Sequence, residues 1–219
     1  MKFRQCYHPN WYLIMGHRQE LAYFPATPRT WGRAALGYHL KKTVVLVGLM
    51  GAGKTAVGTL VAQKLGVPFL DSDHEIERAA NMTVAEIFSR DGEEFFRAKE
   101  SQVLERLLLG APCILSTGGG AYLAEANRTM IARHGVALWL RADLELLWSR
   151  VRHKTTRPLL RTDNPKETLA GLHEVRTPIY QNAEIVVDSE EGLSLEDMAQ
   201  RVIATLLADP DSGVTKGAR

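Results

Sequence analysis

The sequence predicts an α/β fold in three layers, a five-stranded parallel sheet with helices on both faces. Three observations carry this. Five short apolar runs recur along the chain with helical stretches between them, and strands covered on both faces read as such continuous runs. The first run, "TVVLVG" (Thr43–Gly48), passes directly into the glycine-rich "GLMGAGKT". The length, 219 residues at 45% hydrophobic and 24% charged, suits one domain with a sizeable core.

The elements follow in order. From Lys54 the period becomes helical: Val57, Leu60, Val61 and Leu65 share a face, and Gly66 stops the helix. "PFLD", ending at Asp71, reads as a second buried strand. A helix over His74–Ala80 follows, with Asp73 placed to cap it. Met82 to Phe88 reads as a short helix capped by Thr83. Asp91 to Leu109 reads as a longer one, with Phe95, Val103, Leu104, Leu107 and Leu108 apolar. "PCILSTGGG" (Pro112–Gly120) is a strand running into three glycines, and "GVALWLRA" (Gly135–Ala142) is the fourth strand. Leu144 to Val151 is helical. Arg152 to Glu167 is polar, basic and Pro-containing, hence a loop. Leu169 to Gln181 is helical around Pro178, which should kink or end it. "EIVVDS" is the fifth strand and Leu195 to Leu207 the closing helix. Residues 209–219 are expected to be a frayed tail. Parallel sheets of this kind bind ligands beyond the carboxyl ends of their strands. Gly48, Asp71, Gly118 and Arg141 therefore mark where chemistry should lie.

Charge and cysteines narrow the class. The net charge is +2, but residues 1–42 hold seven Lys/Arg against Glu20 alone, and the remainder holds 20 basic and 24 acidic residues. A mildly acidic body gives no footprint for nucleic acid. Two cysteines, Cys6 and Cys113, cannot form a disulfide framework and point to a reducing, cytoplasmic compartment. No run of 18 apolar residues occurs, so no transmembrane helix is expected. Residues 1–40 are read as an N-terminal extension. They contain eight of the 16 aromatic residues, unlike a typical disordered tail. They are acid-poor and Arg-bearing like a transit peptide, yet lack Ser. Three readings stay open: a poorly ordered extension or upstream start, a segment packed on the body, and a targeting peptide.

"GLMGAGKT" (Gly48–Thr55) fits G-x-x-x-x-G-K-[ST] with a strand before it and a helix after it. Such a loop wraps a phosphate with its backbone N–H groups, and the helix N-terminus adds to the field. Gly48, Gly51, Ala52, Gly53, Lys54, Thr55 and Ala56 are the expected ATP-binding residues. Lys54 reaches the β- and γ-phosphates, and the Thr55 hydroxyl can ligate Mg2+. A body of about 170 residues from Lys41, without a guanine-reading sequence, favours a small kinase.

With "LDSDHEIE", "IFSRDGEEFFRAKE", "STGGG", "RPLL" and "RTPIY" added to the phosphate loop, the chain resembles shikimate kinase over about Lys41 to Leu207. The resemblance implies the nucleoside monophosphate kinase fold, with a mobile lid at about 152–166 in a domain spanning 41–208. It implies transfer of the γ-phosphoryl of ATP to the 3-hydroxyl of shikimate, a step towards chorismate and aromatic amino acids. It assigns Asp73 to the reacting hydroxyl, as general base or as an orienting group. Asp71 falls to the Mg2+ side with Thr55, and one Mg2+ accompanies ATP. Arg97 and Arg176 match the carboxylate-binding arginines, whose forked donors suit a carboxylate. Gly118, Gly119 and Gly120 form the substrate loop, Gly119 meeting the substrate with its N–H. Arg157 matches the lid arginine that offsets charge on the transferring phosphoryl, so Lys54, Asp73 and Arg157 are the expected catalytic residues. Arg150 matches the position against adenine. Phe88 and Phe96 resemble apolar walls of the acceptor pocket, with core packing the competing role.

"DSEEGLS" departs from the family by placing Glu190 and Glu191 on the adenine side, so contacts there should be made by backbone. His74 is expected to face solvent. Two alternatives remain at this stage, another small P-loop kinase such as a gluconate kinase and a nucleotide-binding regulator without catalysis. The expected partners are ATP and shikimate, with no nucleic acid and no membrane, and the protein is expected to be a monomer.

Overall fold

The structure, a computed structural model, describes residues 37–153, 158–160 and 162–217. Residues 1–36, Arg157 and most of the "HKTTR" stretch of the expected lid lie outside the described residues. Seven strands and seven α-helices are described: β1 (Tyr38–Leu40), β2 (Thr43–Val47), α1 (Lys54–Leu65), β3 (Phe69–Asp71), α2 (Ser72–Ala80), α3 (Val84–Leu108), β4 (Ile114–Ser116), α4 (Glu125–His134), β5 (Gly135–Arg141), α5 (Leu144–Val151), α6 (Pro165–Tyr180), β6 (Ile185–Asp188), α7 (Leu195–Ala208) and β7 (Val214–Lys216).

The expected parallel sheet is present, in the order β3-β4-β2-β5-β6 with every pair parallel. Burial follows position in that order. β4, β2 and most of β5 are wholly buried, as strands between two helical layers must be. "PFLD", read as a buried strand, is instead the half-buried edge β3, and the other edge, β6, alternates buried and exposed residues. An edge strand has a sheet neighbour on only one side, so its run need not be covered on both faces. The fully buried strands β4, β2 and β5 form the middle of the core, with Val61, Leu104, Leu147 and Val202 packed from the helices.

Local signals account for the helix ends. Gly53 sits at φ 93° as the residue before α1, and Gly66 at φ 69° closes it with its N–H on the Ala62 and Gln63 carbonyls. Thr83 starts α3 with a full capping box, its hydroxyl accepting from the Glu86 N–H while Glu86 accepts from the Thr83 N–H. The two helices read over Met82–Leu109 are joined end to end and broken at Gly92, whose φ of 84° and ψ of 172° are not helical. Beyond that break Phe96 and Glu100 are buried, while Phe95 is only half-buried. The break therefore resets which residues face inward.

Several expectations need correction. α2 is capped by Asp71, not Asp73, because the Asp71 side chain accepts from the Asp73 N–H. α4 was not foreseen, since its single apolar stripe is short; Ile131 and Asn127, one turn apart, are its buried residues. α6 begins at Pro165, in the stretch read as a loop, since proline suits a first helical position. Pro178 lies in its last turn and the helix stops at Tyr180. The C-terminal residues are no frayed tail. Residues 210–212 form a 3-10 turn, and β7 pairs antiparallel with β1. Val214 and Ser212 are buried there, and the Ser212 hydroxyl donates to the Leu206 carbonyl at the end of α7. The β1–β7 ribbon thus lies partly outside the expected span of 41–208.

Removing residues 209–219 exposes the end of α7 and leaves β1 unpaired. Urea unfolding should show a loss of roughly 2 kcal/mol, near the value of burying one aliphatic side chain; an unchanged midpoint would mean the β1–β7 ribbon adds nothing.

Candidate active site

The site begins with strand register. Asp71 of β3 lies level with Ser116 of β4, and Ser116 lies level with Leu46 of β2. Three chain ends therefore emerge side by side, and the loops that follow them share one crevice. The first is the glycine-rich loop. A Cβ on Gly48 would sit 2.8 Å from the Leu140 carbonyl oxygen of β5, so no side chain fits where the loop leaves the sheet. The Lys54 ammonium donates to the carbonyls of Gly48 (2.7 Å) and Leu49 (3.1 Å), which draws it along the loop. Arg150 of α5 donates to the Gly51 carbonyl (3.3 Å) and to Ser189 Oγ (3.0 Å), tying the loop to the chain after β6.

Asp71 divides its two oxygens. Oδ1 accepts the Asp73 N–H at 3.1 Å and caps α2, while Oδ2 accepts the Thr55 hydroxyl at 3.0 Å. Ser116 Oγ lies 3.5 Å from the same hydroxyl. Thr55, Asp71 and Ser116 thus offer only hard oxygen donors, the set Mg2+ takes when phosphates and water complete its shell. No cluster of three or more His, Cys, Asp or Glu suited to a metal occurs among the described residues.

The other side of the crevice is built on the three glycines. The Gly118 N–H donates to Ser72 Oγ at 3.3 Å. A Cβ on Gly118 would lie 2.7 Å from an Asp73 carboxylate oxygen and 2.8 Å from Glu100 Oε1. Two carboxyl groups therefore converge on one small volume that only glycine leaves open. A Cβ on Gly120 would run into the Arg97 guanidinium. Arg97 donates to Glu100 Oε2 (2.8 Å) and, through Nε and a second nitrogen, to Glu93 Oε1 (3.2 and 3.0 Å). It lies over the Phe88 and Phe96 rings, 5.8 and 5.3 Å from their centroids. Phe96 is buried in the core and Phe88 half-buried, so both brace Arg97 from below. Arg176 of α6 donates to the Gly119 carbonyl at 3.2 Å.

A cavity of about 480 Å3 runs from this loop across Lys54 and Thr55 to Arg150. Asp71, Asp73, Gly118 and Gly119 line it, as do Gly51, Ala52, Gly53, Lys54, Thr55 and Ala56 of the expected ATP loop. Gly48, Gly120, Arg97 and Arg176 are not among the residues that line it, and Arg157 lies outside the described residues. His74 is exposed, as expected. Beside Arg150 the wall is Ser189, Leu193, Leu195 and Met198, an apolar slot that the sequence reading did not assign. Glu190 turns away to pair with Arg201 at 2.5 Å.

Glu100 is the functional residue most plainly missed. Its signal was present, since "RAKE" places it three residues after Arg97, one helical turn away. Burial pushes its carboxyl up to about 7, against the pull of Arg97 and helped by the Asp73 charge.

The family model described as shikimate kinase matches residues 50–207. The chain belongs to the shikimate kinase family. It is 66% identical over 172 residues to a shikimate kinase from Cereibacter sphaeroides, covering 78% of this chain and 86% of that one. A shikimate kinase from Ruegeria pomeroyi is 64% identical over the same length, covering 78% and 88%. Among solved structures, the shikimate kinase from Acinetobacter baumannii in complex with shikimate is similar with a TM-score of 0.73 and 39% identity, covering 76% of this chain and 93% of that one. The gluconate kinase and regulator alternatives are not favoured beside these matches. Among the described residues no helix is long and apolar enough to cross a membrane.

The raised Glu100 carboxyl makes a signed prediction. The folded chain binds this proton more tightly than the unfolded chain, whose value is near 4.5. The stability it contributes is complete below about pH 4.5 and is lost as the pH rises through about 7. Between about pH 5 and pH 8 the melting temperature should fall more steeply in the wild type than in Glu100→Gln. Parallel slopes would show that Glu100 does not titrate in this range.

Proposed function

We propose that the protein transfers the γ-phosphoryl of ATP to the 3-hydroxyl of shikimate, with Asp73 at the hydroxyl and the Gly48–Thr55 loop at the phosphates. The observation that carries this reading is the single cavity on which both Asp73 and Lys54 open. Phosphoryl transfer proceeds through a loose transition state, so alignment and charge stabilisation do most of the catalysis. The loop supplies backbone N–H groups and Lys54 supplies charge at the β- and γ-phosphates. Thr55 and Asp71, the latter directly or through water, would hold Mg2+, which would supply neutralising charge at the phosphates. Asp73 accepts the hydroxyl proton or holds the hydroxyl in line. Arg157 is assigned, as the family resemblance implies, to the charge on the transferring group.

Shikimate is a small polyol with one carboxylate, and its carboxylate falls to Arg97 and Arg176. Arg97 already holds two carboxylates of unequal standing. Glu93 is 63% exposed, and a pair of that kind is worth only about 0.2–1 kcal/mol. Glu100 is buried. An incoming carboxylate displaces Glu93 at small cost while Glu100 keeps the guanidinium aimed. Arg150 and the slot of Leu193, Leu195 and Met198 receive the adenine.

Cys113, a buried thiol in no disulfide among the described residues, supports a reducing compartment, and we read the protein as a cytoplasmic monomer. Light scattering after gel filtration checks the second part.

Coupled ADP release with shikimate, with gluconate and without acceptor tests the reaction. Only shikimate should stimulate release, and equal rates in all three would end this reading. In Asp73→Asn, turnover should drop by about 100-fold or more with the ATP KM within about twofold of wild type. Equal losses in both would remove Asp73 from the acceptor side.

A further inference from the structure

The Gly119 carbonyl receives two donors from one helix. Arg176 donates to it at 3.2 Å and the Tyr180 hydroxyl at 2.5 Å. The peptide that carries this carbonyl joins two glycines, so no side chain of its own restrains its rotation. Because the unit is planar and trans, holding the oxygen also sets the direction of the Gly120 N–H. The orientation of the acceptor loop is thus decided from α6.

Tyr180 is built for that task. It is 1% exposed, and its ring stacks between Trp139 (centroids 5.9 Å apart) and Tyr122 (6.3 Å). Burial pushes the phenol up to about 12, against the pull of the Arg176 guanidinium, so it keeps its proton as a donor. Trp139 also reaches the other loop, since a Cβ on Gly48 would lie 3.3 Å from its ring. A Cβ on Gly119 would lie 3.5 Å from the Gly48 carbonyl oxygen, so the two loops abut.

We propose that Tyr180 is a positioning residue for the acceptor: its hydroxyl holds the Gly119 carbonyl, which fixes the glycine loop and leaves Arg176 with donors to spare for the acceptor carboxylate. This rests on the shikimate reading above. Without the hydroxyl, the carbonyl either turns or draws on Arg176 alone, and both changes fall on the acceptor rather than on ATP.

Tyr180→Phe keeps the ring and the stack and removes only the donor. Shikimate KM should rise about tenfold, with kcat within about threefold and ATP KM within about twofold of wild type, the size of effect expected for one buried hydrogen bond. Tyr122→Phe removes a hydroxyl from the same stack without touching Gly119 and should leave both KM values in place. An unchanged shikimate KM in Tyr180→Phe overturns the proposal. So does a joint rise of both KM values with a fall in melting temperature, or an equal effect in Tyr122→Phe, since each reduces Tyr180 to packing. A wild-type enzyme without shikimate-stimulated ADP release would instead sink the underlying reading.

Discussion

The parallel register of β3, β4 and β2 is the constraint on which the site depends. It sets Asp71, Ser116 and Leu46 level, so the chain leaves the sheet at three neighbouring points. A slip of one residue in β3 would turn Asp71 to the other face of the sheet. The carboxylate would then reach neither the Thr55 hydroxyl nor the Asp73 N–H. Those two contacts make one side chain both a cap for α2 and a neighbour of the phosphate loop. Folding of the helix and placement of the oxygen donors are therefore the same event.

Placement of charge follows from the same geometry. Asp73 and Glu100 come from different helices and meet at Gly118, with Arg97 drawn in over the aromatic pair Phe88 and Phe96. Burying like charges together is costly unless a cation or a proton offsets them. Here both are at hand, since Arg97 holds one Glu100 oxygen and the raised carboxyl accepts a proton near neutrality. This side of the crevice is thus assembled from groups whose charges are balanced against each other before any substrate is considered.

Much of this was legible in the sequence, for identifiable reasons. The phosphate loop was readable because phosphate binding demands specific residues at fixed spacing. The strands were readable because burial on both faces leaves an unbroken apolar run. What failed depended on distance in the chain. Asp71 rather than Asp73 caps α2 because the turn out of β3 is a residue tighter than the pattern implied. Tyr180 and Ser189 act through residues 61 and 39 positions away, and no local pattern announces such partners. The pairing of β7 with β1 spans nearly the whole domain and was invisible for the same reason.

That pairing has a topological consequence. β1 leads into the amino end of β2, whereas the site lies beyond the carboxyl ends of the strands. Tyr38 and Lys216 are antiparallel partners, so the two termini of the folded domain are adjacent at the pole opposite the chemistry. A linker of a few residues between Lys216 and Tyr38 would close this domain into a ring without bending any strand that carries the site. New ends could then be opened in a distant surface loop, and the order of the elements along the chain would change while their order in space did not.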